Sequence, residues 1–164
     1  MNRIELISTL TMGVFLSFPA FAGDWELLNV SDKLDKATLY DRETIKVCDG
    51  TTKVWIADVF RKIKLKQRSD LTLSLYEFDC NQNRFRVTRF TAYFRGRNLG
   101  TLDLKNKNNL EYIIPGTIGW NSINAFCKNT PPYKNISFKT DNTQELVKLL
   151  TNFLADIEPY LENN

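Results

Sequence analysis

Histidine is absent from all 164 residues, and that gap removes Ser-His-Asp and Cys-His catalysis, histidine general acids and zinc sites built on imidazole. Cysteine is scarce: Cys48, Cys80 and Cys127 are the 3 present, and their spacings match no metal motif. Residue 23 is glycine rather than cysteine, which leaves no lipid-modified cysteine to tether a chain processed after Ala22. A membrane-length apolar run is missing too, because the run from Leu6 to Phe18 falls short of the roughly 20 residues a spanning helix needs. Excess charge is small: 22 Lys and Arg against 19 Asp and Glu give a formal net charge of +3. That is too little on its own to call for a nucleic-acid partner.

What is present at the N-terminus reads as an export signal. Arg3 gives a positive start, Leu6 to Phe18 is apolar apart from small and hydroxyl residues, and Phe18-Pro19-Ala20-Phe21-Ala22 puts small residues at the cleavage-defining positions. Residues 1–22 are thus expected to be a cleaved signal peptide, with Gly23 the new N-terminus and a remainder of one-domain size. The processed protein is expected in the periplasm or secreted, with no stable membrane insertion. In that oxidising setting one disulfide and one leftover thiol are expected, and spacing leaves all three single-bridge pairings open.

Along the chain, Trp25 to Val30 and Thr38-Leu39-Tyr40 suit strands. Thr44 to Cys48 leads into Asp49-Gly50, a strong hairpin signal, and Thr51 to Lys66 is the expected returning strand. Leu71 to Cys80 and Arg84 to Arg95 form a second hairpin across Asn81-Gln82-Asn83, Gly96 and Gly100 bracket a turn, and Leu110 to Ile114 is a further short strand. Trp120, Ile123 and Cys127 share one face of a short helix, whereas Lys128 to Lys139 reads as an extended connector. At the C-terminus, Asn142 and Glu145 form a capping-box pattern before the stripe Leu146, Leu149, Leu150, Phe153, Leu154 and Ile157, which ends just before Pro159. The expected fold is α+β: a twisted antiparallel sheet of about five or six strands, a short helix, and a C-terminal amphipathic helix packed on the sheet.

The candidate binding surface is basic. Lys62, Lys64, Lys66 and Arg68 fall on one strand face, and Arg84 and Arg86 follow in the next hairpin together with Arg89, Arg95 and Arg97. Such a face would attract an acidic protein or an anionic polymer, such as lipopolysaccharide phosphate or glycosaminoglycan, with salt-sensitive strength. The plainer reading is a solvated face whose cations pair with Glu77 and Asp79. Those two carboxylates share a strand face, but neighbouring arginines would keep both ionised, so no catalytic residue is assigned. No cofactor and no metal site are expected. Trp25, Trp55 and Trp120 read as core or sheet-face residues.

Several segments together resemble the surface-adhesin protein E family of exported bacterial domains. They are Trp25, Tyr40-Asp41-Arg42-Glu43-Thr44-Ile45, Val54-Trp55, Tyr76-Glu77-Phe78-Asp79-Cys80, Arg84 with Arg86, and Pro115-Gly116-Thr117-Ile118 leading to Cys127. The resemblance implies an antiparallel sheet with helical packing, a Cys80–Cys127 disulfide, and a non-enzymatic role in attachment to host proteins. It covers about Trp25 to Cys127; residues 23–127 are thus expected to be a β-rich domain and 128–164 a connector and C-terminal helix packed on the same domain, and Cys48 has no counterpart in the pattern. The alternatives are a periplasmic inhibitor or accessory factor of a hydrolase, and an enzyme working with Asp, Glu, Ser or Lys alone.

Overall fold

The computed structural model describes residues 23–31, 33–61, 69–104, 109–131, 133, 136–140 and 142–161. Within them the strands are β1 (Gly23–Val30), β2 (Lys36–Asp41), β3 (Lys46–Cys48), β4 (Thr51–Phe60), β5 (Leu71–Asp79), β6 (Arg84–Phe94), β7 (Arg97–Asp103), β8 (Glu111–Tyr112) and β9 (Ser137–Thr140). The helices are α1 (Ile118–Cys127) and α2 (Thr143–Leu161). Tight turns set the register. Asp49 and Gly50 take φ of 47° and 75°, the left-handed pair a two-residue hairpin requires, and so place Cys48 opposite Thr51. Arg95 and Gly96, at 50° and 74°, do the same between β6 and β7. Between β5 and β6 the Asp79 carboxylate accepts from the N–H groups of Asn81 and Gln82, both at 3.1 Å, which folds the chain back on itself.

The result is one antiparallel sheet of nine strands in the order β7-β6-β5-β4-β2-β1-β9, with β3 beside β4 and β8 beside β6. This corrects the expectation of five or six strands. Part of the excess is β7, which lies where the sequence suggested only a turn and which pairs with β6 from Arg89↔Asp103 to Phe94↔Arg97. The rest is β9, which lies in what the sequence suggested was a connector. Its four residues become a strand because β1 offers a partner edge, Gly23 to Glu26 pairing with Thr140 to Ser137, a tertiary cause that local composition does not carry. Gly100 belongs to β7 at a register shift rather than to a turn. The strand from Thr51 stops at Phe60, where the ladder with β2 ends; residues 62–68 lie outside the described residues.

Successive strand residues point to opposite faces, and each face is covered by one helix. Leu39, Ala57, Val59, Leu71 and Leu73 pack with Leu146, Leu150 and Leu154 of α2. Tyr40, Val54, Ile56 and Phe78, one residue out of phase, pack with Ile123 and Phe126 of α1. β4 is therefore buried on both faces, which explains its nearly continuous apolar run.

Candidate functional site

Tyr76 and Phe78 turn toward α1, so the alternating residues Glu77 and Asp79 emerge on the other face of β5. There the β5–β6 register sets Glu77 opposite Arg86 and Asp79 opposite Arg84. Arg86 donates to Glu77 Oε1 at 2.7 Å, Lys53 Nζ of β4 lies 3.2 Å from Glu77 Oε2, and Arg84 donates to Asp79 Oδ2 at 2.9 Å. Arg89 adds a pair with Asp103 of β7 at 3.4 Å. The Arg84 guanidinium also lies 5.7 Å from the centre of the Tyr112 ring, within cation–π range.

Burial by itself would raise the pKa of Glu77, but Arg86 and Lys53 outweigh it and hold the carboxyl below its ordinary range. Arg84 holds Asp79 low, with help from the Gln82 and Asn81 amides. Both groups are charged at neutral pH, and neither has the raised pKa that a general acid needs. The arrangement is a ladder of cross-strand ion pairs, in which Arg84 and Arg86 meet carboxylates rather than projecting free charge.

At the end of the same strand Cys80 is bonded to Cys127, the last residue of α1, with Cα atoms 5.4 Å apart. The link fastens α1 to the sheet. Cys48 is exposed and free. Among the described residues no group of three or more Cys, Asp or Glu is placed to hold a metal ion, and no helix is long and apolar enough to cross a membrane.

A family model for surface-adhesin protein E matches residues 25–128. The chain belongs to that family. No curated protein and no solved structure matches it. The surface-adhesin protein E match begins in β1 and ends one residue past Cys127, leaving β9 and α2 beyond it. Its Glu77-Phe78-Asp79-Cys80 block supplies two carboxylates of the ladder, a buried ring of the α1-side core and one half of the disulfide.

Of the basic residues singled out from the sequence, the structure brings Arg84 and Arg86 together on one face, each in an ion pair. Lys62, Lys64, Lys66 and Arg68 lie outside the described residues. Sequence reading missed Lys53, whose role depends on the β4–β5 register. It also missed the apolar side chains left on the outer strands and just past β8: Leu99, Leu102, Tyr112 and Ile114 are 49%, 60%, 72% and 69% exposed. Every residue of β7 is exposed, and Leu99 beside Gly100 is the only sequence hint of an irregular outer strand.

Proposed function

We propose that this surface-adhesin protein E relative is an exported, non-enzymatic binding protein that attaches to another protein through the β6–β7–β8 side of its sheet. Family membership carries the adhesin reading. The surface is supported by Leu99, Leu102, Tyr112 and Ile114, all exposed, with the Arg84 guanidinium over the Tyr112 ring and Leu102 cross-strand from Phe90 next to the Arg89–Asp103 pair. Exposed Tyr and Arg next to apolar side chains are the composition of interface hot spots, and an outer strand supplies backbone groups for a partner strand. Export rests on residues 1–22 acting as a signal peptide, with residues 23–164 as one folding unit.

Capture of the secreted protein on immobilised host matrix proteins and on envelope extract tests this reading. Binding should persist at moderate salt and fall at least about tenfold in a Leu102→Asp, Tyr112→Ala double variant. Binding that vanishes with salt and with reversal of Lys62, Lys64 and Lys66 to Glu, yet ignores Leu102 and Tyr112, would assign the partner to anionic polymers instead. N-terminal sequencing should begin at Gly23.

A further inference from the structure

Asp58 is an ionisable residue in the middle of Val54-Trp55-Ile56-Ala57-Asp58-Val59-Phe60, the strand buried on both faces. Its side chain is 26% exposed, so the charge is partly desolvated and a partner offsets that cost. Lys36 of β2 supplies the pair, with Nζ 3.3 Å from Asp58 Oδ1, and the Thr38 hydroxyl donates to the same oxygen at 2.6 Å. Oδ2 is left without a hydrogen-bond partner among the described residues.

These groups open into a cavity of about 240 Å³ on the α1 face, lined also by Ile56, Tyr76, Phe78, Phe85, Gly119 and Ser122. One wall is aromatic: the ring centres of Tyr76 and Phe78 are 5.7 Å apart, and those of Tyr76 and Phe85 are 5.8 Å apart, both pairs stacked. Gly119 brings no side chain to the side made by α1. Burial, helped by the Asp58 charge, pushes the Tyr76 hydroxyl up to about 12, so it remains a hydrogen-bond donor throughout the physiological range.

The chemistry of this wall narrows the occupant. Lys36 and Asp58 compensate one another, which disfavours a ligand of strong net charge. An ammonium donor beside a carboxylate acceptor, with hydroxyls at Thr38 and Tyr76, matches adjacent hydroxyl groups that both donate and accept. The ring faces suit a patch of C–H groups. The volume lies below the range of about 300–1,000 Å³ typical of sites for drug-sized ligands, which limits the occupant to roughly one ring. We propose that the cavity is a binding site for a single neutral pyranose, such as the terminal sugar of a glycan. The site lies on the opposite face from the ion-pair ladder, and its failure would leave the protein-attachment reading intact.

Saturation-transfer NMR on the secreted full chain, with the methyl glycosides of glucose, galactose, mannose and N-acetylglucosamine as probes and glucuronate alongside, tests the proposal. At least one neutral glycoside should bind saturably and independently of salt. Asp58→Asn should weaken that binding about tenfold, and Tyr76→Phe, which keeps the ring stack, about threefold. Glu77→Gln on the other face should leave it unchanged. Absence of saturable binding by all four glycosides, preference for glucuronate, or full affinity in Tyr76→Phe would overturn the assignment. The Tyr76 variant decides the matter even if Asp58→Asn fails to fold.

Discussion

Glu77 is 15% exposed and accepts from two cations on neighbouring strands, so its charge is part of the folded state's stability. Its pKa is lowered from the ordinary 4.5. The stabilisation is therefore complete above that value and is lost as pH falls through the lower folded value. Glu77→Gln should cost about 1–2 kcal/mol at neutral pH and flatten the acid limb of a melting-temperature profile. An unchanged profile would show the pair to be energetically idle. The cysteines make a second residue-scale prediction. With a sequence separation of 47 between its cysteines, the disulfide contributes about 4 kcal/mol on the chain-entropy model, an upper-end figure. Cys80→Ser and Cys127→Ser should lower the melting temperature to similar extents, whereas Cys48→Ser should be mild and should abolish the thiol seen in native-state titration. The pairing of Glu77 and Asp79 with arginines was legible because a two-residue spacing puts them on one strand face. Lys53 was not, since its place beside Glu77 exists only once β4 and β5 are in register.

At the level of elements, α2 starts with a variation on the expected capping box. Asn142 Oδ1 accepts from the Gln144 and Glu145 amides at 2.8 and 3.3 Å, while the Glu145 carboxylate accepts from the Thr140 hydroxyl at 2.7 Å. That hydroxyl in turn accepts from the Asn142 N–H at 3.1 Å, so one relay joins the end of β9 to the start of α2. Thr140→Val should cost about 1 kcal/mol and fray the first turn, visible as faster amide exchange there. Leu146, Leu150 and Leu154 are fully buried against the sheet, so Leu150→Asp should destabilise by several kcal/mol. A variant melting like the parent would mean that α2 is not needed to cover the face. The helix was readable from its stripe, but not its end: Pro159 lies inside α2, which runs to Leu161. Proline lacks only one donor and, so near the end, interrupts little of the remaining ladder. The four residues of β9 carry no comparable local pattern, and their strand character comes from β1.

For the molecule as a whole, two helices on opposite faces leave β4 and β5 as the most enclosed strands and β7, exposed at every residue, as the longest open one. Native-state hydrogen exchange should accordingly be slowest in β4 and β5, near the global unfolding limit, and fastest in β7. Equal protection across the sheet would contradict that gradient. The pattern of sheet neighbours has a consequence in time as well as in space. Most neighbours are close in sequence, but β1 is completed by β9 from the far end of the chain. A chain that threads its way out N-terminus first delivers β1 long before β9, leaving one side of that strand open until the last segment emerges. Cys48 and Cys80 also meet before Cys127 arrives, whereas the native bridge joins the second cysteine to the third. A transient Cys48–Cys80 link should therefore precede the native one and be resolved by thiol exchange. In a pulse–chase followed on non-reducing gels, Cys48→Ser should remove this early species and hasten the native form.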